Sequence, residues 1–236
     1  MNLRCYNRSI DRDGVSALII VHYKRGGQEM KQEFGRMLSG INNAKISLNL
    51  DDVFLLSDMV DRKLYLDYEI DEDSVREIRN AILYFNNEDR GLAKEDRQPI
   101  WLYIASRGGS VSDGFSLVDL IVASKTPVYT VNIGYCYSMA LPIFLVGHKR
   151  YALKNSQFLM HDGTMFCIDS SSKAQDCMEF ESKYEKEVTR KTILEHSNLT
   201  EEQYESKRRV EWYLLAEDAK GYGMVDEIVE DLEEIS

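Results

Sequence analysis

Two side chains in this sequence have the type and setting for nucleophilic chemistry. Ser138 interrupts the apolar run "VNIGYCYSMALPIFLVG" (residues 131–147), between a strand-like and a helix-like segment, and His161 closes the apolar "SQFLMH" just before a turn. A serine hydroxyl is a poor nucleophile near neutral pH unless a base takes its proton, and that base needs a third group to hold its tautomer and orientation. Read by itself, Ser138 caps a helix. Of the other histidines, His22 and His148 sit beside charged or turn residues, and His196 ends a long helix, where a cation complements the dipole. "IASRGGSVSDG" adds Gly108 and Gly109 at the exit of a buried strand, where missing Cβ atoms let backbone N–H groups approach a ligand or a developing oxyanion. The order is thus strand, glycine turn, helix, strand, serine at a helix start, then a strand ending in histidine.

The elements that must position these residues follow from periodicity. "DRKLYLDY" alternates as a strand, and "DEDSVREIRNAILYFNNED" opens with acidic capping residues and sets Val75, Ile78, Ile82 and Leu83 on one helical face. "PIWLYIA" reads as a strand, "SRGGSVSDG" as a turn, "FSLVDLIVAS" as a helix, "TPVYTVNIGY" as a strand and "SMALPIFLVG" as a helix ended by Gly147. This alternation predicts βαβ crossovers and an α/β fold with a mainly parallel sheet buried on both faces. "KRYAL" and "SQFLMH" are short strands. From Ser172 to about His196 a long charged helix carries Cys177, Phe180, Tyr184 and Val188 as an apolar seam, suited either to a partner or to its own domain. "TEEQYESKRR" and "AEDAKGYG" read as helices and "MVDEIV" as a strand. Ahead of a boundary near residues 50–60, "SALIIVHY" reads as a strand and "GQEMKQEFGRML" as a helix.

Composition narrows the classes of function. The 236 residues can bury one sizeable core, and 44% hydrophobic with 29% charged residues is ordinary for a globular domain. No apolar run reaches the roughly 20 residues of a membrane span, and the first residues lack a signal-peptide pattern, so no membrane partner and a cytoplasmic location are expected. A net charge of −11 without a basic, aromatic-rich stripe disfavours nucleic acid. Cys5, Cys136, Cys167 and Cys177 are far apart and form no CxxC, which argues against a zinc site or a disulfide framework.

Four stretches together resemble the ClpP family, the proteolytic subunits of Clp proteases. "IWLYIASRGGSVSDGFSLVD" is similar to the family's oxyanion-hole segment, "VYTVNIGYCYSMAL" to its nucleophile segment, "KRYALKNSQFLMHDG" to its histidine segment, and "EWYLLAEDAKGYGMVDEIV" to its carboxyl-terminal signature. The likeness runs from about Asp61 to Val229. It implies the ClpP/crotonase-like fold of repeated β-β-α units with a long protruding handle helix. An amino-terminal segment (1–55) of unassigned role then precedes a serine peptidase domain (56–230) and an acidic tail (231–236).

The resemblance makes Ser138 the nucleophile, His161 the general base, and the Gly109 and Met139 N–H groups the oxyanion hole. Ungapped alignment puts Glu211 where the family usually carries its triad aspartate, with Asp162 as an alternative carboxylate. No cofactor or metal is implied. The implied partners are unfolded polypeptide, further copies of the chain in stacked heptameric rings, and an AAA+ ATPase. Four departures stand out: Arg107 in place of a proline, "DG" after the histidine, Tyr135, Cys136 and Tyr137 crowding the nucleophile, and "TMFCIDSSSK" in place of a glycine-rich strand. The crowded "YCYS" approach, the altered histidine flank and the missing aspartate motivate a second expectation, a structural or regulatory ring subunit with little activity. A third, a crotonase-like acyl-CoA enzyme, rests on the shared superfold.

Overall fold

The structure, a computed structural model, describes residues 24–25, 28–29, 57–163 and 170–235. The chain divides into two compact units, residues 1–56 and 57–236. In the first, β1 (Lys24–Arg25) pairs antiparallel with β2 (Gln28–Glu29). Gln28 and Glu29 therefore do not begin a helix as expected. The expected strand over residues 16–23 and the rest of the expected helix lie outside the described residues.

The second unit alternates as its periodicity predicts. In order come β3 (Lys63–Leu66), α1 (Glu72–Glu88), β4 (Ile100–Ser106), α2 (Val111–Ala123), β5 (Val128–Tyr137), α3 (Ala140–Leu145), β6 (Lys149–Leu153) and β7 (Gln157–Met160). After these come α4 (Ser171–Tyr184), which continues through a π-helical turn (Glu185–Thr189) into α5 (Arg190–Glu195), then α6 (Glu201–Lys207), β8 (Trp212–Leu215), α7 (Ala216–Gly221) and β9 (Glu227–Val229). Strands β3, β4, β5, β6 and β9 lie side by side in parallel, β7 joins the far half of β5 in parallel, and β8 closes on β7 antiparallel. The fold is mixed α/β with a mainly parallel sheet, consistent with the ClpP/crotonase-like class.

Local chemistry explains the helix starts. The Asp71 carboxylate accepts the Ser74 N–H at 2.8 Å while the Ser74 hydroxyl accepts the Asp71 N–H at 3.1 Å, a reciprocal capping box that opens α1. Val75, Ile78, Ala81, Ile82 and Phe85 face the core. Leu83, assigned to that face from spacing, is 54% exposed; Phe85, three residues beyond Ile82, takes the inward position. The turn after β4 is shorter than expected, because Ser110 caps α2 by accepting the Asp113 N–H. Between β3 and the end of α1, buried Arg62 forms a two-pronged ion pair with Asp89 at 2.6 and 2.7 Å, and Thr126 donates to the same carboxylate.

Helices α1, α2 and α3 cover one face of the sheet in a continuous apolar core. The opposite face carries a smaller cluster of Tyr103, Val131, Tyr151, Val229 and Ile235, with Trp101, Tyr129 and Leu153 only partly buried. Among the described residues this face is closed by the short 3₁₀ helix Leu232–Ile235 and not by an α-helix, whereas the crossover pattern predicts cover on both faces. Tyr103 donates to the Ile235 carbonyl at 2.5 Å; burial is the main reason its hydroxyl pKa rises to about 12.

The long helix divides the seam read from its sequence. Tyr184 and Val188 pack on the core, Tyr184 edge-on to Phe115 at 5.5 Å between ring centroids, while Met178 and Phe180 are exposed. At its end, His196 departs from the expected helix-capping cation. Burial lowers its pKa, and the Arg150 guanidinium, which donates to the His196 carbonyl, lowers it further. A depressed histidine pKa means the unfolded chain binds more protons just below 6.5, so stability falls as pH drops through that window. His196→Gln is expected to flatten this acid-side decline in melting temperature. Superimposable decline in the two proteins would contradict that source.

Candidate active site

Strand register brings distant residues to one place. Strand β5 pairs with β6 through Asn132, and after an irregularity that shifts the register it pairs with β7 from Tyr135 to Tyr137. Asn132, fully buried, holds this change of partner: its side-chain N–H₂ donates to the Gln157 carbonyl at 2.9 Å, and its side-chain oxygen accepts the Gly134 N–H at 3.0 Å. Its own carbonyl accepts the Ser156 hydroxyl at 2.7 Å. Asn132→Ala removes two part-buried hydrogen bonds to the backbone and is expected to cost about 1–3 kcal/mol in urea unfolding. A loss below about 0.5 kcal/mol would contradict the role assigned to it.

On β7 and β8 the paired positions run from Gln157↔Leu215 to Met160↔Trp212. One further step sets His161 opposite Glu211. The His161 Nδ1 lies 3.0 Å from the Glu211 Oε1, and the Tyr213 hydroxyl donates to the Glu211 Oε2 at 3.2 Å. Alternation explains the shared face. Cys136, Phe158 and Leu214 point into the core, so Tyr137, His161, Glu211 and Tyr213 lie on the other side of the same three strands.

Asp162 is not beside the imidazole in the same way. Its carboxylate accepts from Arg208 at 2.9 and 3.0 Å, and its N–H donates to the Arg208 carbonyl at 2.8 Å. The sequence left two carboxylates for His161; the one that meets it is Glu211.

Ser138 leaves β5 at φ 53°, a left-handed conformation uncommon for a residue with a side chain, and its N–H donates to the Leu159 carbonyl at 3.0 Å. Such strained strand-to-helix turns project a side chain away from the sheet, at a cost of roughly 1–3 kcal/mol. Gly108 makes the turn possible. At φ 97° it lies so close that a Cβ there would stand 2.7 Å from the Ser138 Cβ and 3.0 Å from the Met139 nitrogen. Gly109 bridges to Ile70, with Ile70 donating to the Gly108 carbonyl and Ser110 donating to the Ile70 carbonyl. Among the described residues, the N–H groups of Gly109 and Met139 have no hydrogen-bond partner, and neither has the Ser138 hydroxyl. The Ser138 hydroxyl and His161 are thus on one site without a hydrogen bond between them.

The tyrosines flanking Ser138 do not fill the core behind it. Tyr135 and Tyr137 lie with their rings 5.4 Å apart, Arg107 stands 5.2 Å over the Tyr135 ring, and Tyr213 meets Tyr137 edge-on at 5.8 Å. Hydrogen bonding to Glu211 is the main cause that raises the Tyr213 pKa, and the charge of Arg107 opposes it. Tyr213 and Asn132 are positions of this site that the sequence did not single out; the signal for Asn132 is a polar residue inside an apolar strand. Residues 164–169, which include most of the segment aligned with the family's glycine-rich strand, lie outside the described residues. Among the described residues no helix is long and apolar enough to cross a membrane.

Comparison with known proteins agrees with the fold. A family model described as Clp protease matches residues 52–232. The ATP-dependent Clp protease proteolytic subunit 3 of Synechococcus sp. (strain CC9605) is 31% identical over 178 residues, covering 72% of this chain and 83% of the relative. The proteolytic subunit 2 of Prochlorococcus marinus subsp. pastoris (strain CCMP1986 / NIES-2087 / MED4) is 32% identical over 190 residues, covering 75% and 86%.

Proposed function

The chain belongs to the Clp protease family, and from that premise we propose that it is a serine endopeptidase of unfolded polypeptides. The observation that carries the proposal is the 3.0 Å contact between His161 Nδ1 and Glu211, beside a serine held in a left-handed turn. A carboxylate only accepts hydrogen bonds, so it keeps the proton on Nδ1 and leaves Nε2 as the base. Ser138 Oγ attacks the peptide carbonyl carbon as its proton passes to Nε2. The resulting oxyanion receives the Gly109 and Met139 N–H groups, each worth roughly 3–4 kcal/mol of barrier. Collapse breaks the C–N bond, and His161 returns the proton to the leaving amine. Water then attacks the acyl-enzyme through the same base and restores Ser138.

The peptidase domain in this reading spans 56–230, with an acidic tail at 231–236. Copies of the chain enclose the sites in stacked heptameric rings, and an AAA+ ATPase supplies unfolded substrate, as the name "ATP-dependent" of the relatives supports. The exposed Met178 and Phe180 on α4 offer an apolar surface for contact between rings. Incubation with a fluorophosphonate and with an unfolded fluorescent polypeptide is expected to give covalent labelling and turnover. Both are expected to disappear in Ser138→Ala, and unchanged labelling of that variant would refute Ser138 as nucleophile. The open Ser138–His161 contact supports a second reading, a ring subunit with little activity of its own. Apo sites often tighten only around substrate, so turnover that depends on Ser138 removes this second reading.

A further inference from the structure

We infer that Tyr213 is a positioning residue that fixes the carboxylate partner of His161, an inference that rests on the peptidase reading above. Glutamate reaches the imidazole on a longer and more flexible arm than the aspartate usual in the family, and it loses more rotamer freedom when held in place. Packing does little to hold Glu211, whose side chain is 59% exposed. Its two oxygens are instead held separately, Oε1 by His161 at 3.0 Å and Oε2 by the Tyr213 hydroxyl at 3.2 Å.

The hydroxyl is itself placed by its surroundings. The Tyr213 ring stands edge-on to Tyr137 at 5.8 Å, and the Tyr137 hydroxyl bonds the Gln157 side chain. Residues 137, 159 and 213 occupy one row across β5, β7 and β8, so this support runs from the residue before the nucleophile directly to the carboxylate. The tyrosine next to Ser138, which reads from sequence as an obstruction, serves here as the buttress of the triad's third member.

A phenylalanine at 213 keeps the ring against Tyr137 and removes only the hydroxyl. The test is a cycle of four proteins: the unaltered chain, Tyr213→Phe, Glu211→Ala and the double substitution. Tyr213→Phe is expected to lower kcat for peptide hydrolysis about tenfold with KM unchanged, the size of one hydrogen bond to a charged group. Once Glu211 is alanine the same change is expected to have no further effect, because the hydroxyl then has nothing to hold. Equal losses on both backgrounds would overturn the inference and assign the hydroxyl a general structural role. Unaltered kcat in Tyr213→Phe would overturn it too.

The ¹⁵N spectrum of the His161 ring supplies a readout that does not depend on turnover. The unaltered chain is expected to show mainly the Nδ1–H form, and Tyr213→Phe a mixture of the two tautomers; identical spectra would overturn the inference. Failure of the peptidase reading is seen separately. Hydrolysis that persists in Ser138→Ala would refute the nucleophile while leaving the His161 spectrum unchanged.

Discussion

Ser138→Ala is expected to lower peptide hydrolysis by about 10⁶-fold, to the level that binding and the remaining amides sustain without a nucleophile. The size follows from the chemistry of the turn. Removing Oγ removes the atom that forms the acyl bond. Alanine is smaller than serine at a residue that is only half buried, so the fold is expected to persist. Its left-handed φ of 53° is still the cost borne by any side chain there, and the two proteins are expected to melt within about 1 kcal/mol of each other. Steady-state hydrolysis of an unfolded polypeptide, with melting curves beside it, checks both statements. A residual rate above about one-hundredth of the original would contradict the role of Ser138.

Glu211→Gln is the second large effect, a fall in kcat of about 10⁴-fold with little change in KM. The amide nearly matches the carboxylate in shape and still reaches His161. It no longer imposes a proton on Nδ1, because its N–H₂ can donate there and turn the ring toward the unproductive tautomer, and it no longer balances the imidazolium formed in the transition state. Asp162→Asn serves as the contrast. That carboxylate is held by Arg208, so its loss is expected to change kcat less than about tenfold. A larger loss from Asp162→Asn than from Glu211→Gln would transfer the orienting role to Asp162.

Much of this arrangement is legible in the chain itself. Strand and helix alternate with clear periods from Lys63 to Met160, and Ser138, His161 and the glycine pair all fall where an element ends, which is where a buried strand hands its residues to a surface. Glu211 is less visible. Its meeting with His161 depends on β8 pairing antiparallel with β7 across 50 positions, and the strand itself, "WYLL", is apolar on both faces and shows no alternation. Asn132 is hidden for the opposite reason: one polar residue in an apolar strand looks like a surface position, yet it is buried with two hydrogen bonds satisfying its side chain. Leu83 shows the limit of counting. It lies within the apolar spacing of α1, but 100° per residue turns it away from the sheet and gives the inward place to Phe85.

The account stands on one covalent bond, between a peptide-like electrophile and Ser138 Oγ. Mass mapping of the protein after reaction with a fluorophosphonate reads that bond directly. The adduct is expected on the tryptic peptide Thr126–Lys149, fragmenting to Ser138, with no adduct anywhere in Ser138→Ala. An adduct on another residue, or one that survives the substitution, would contradict it.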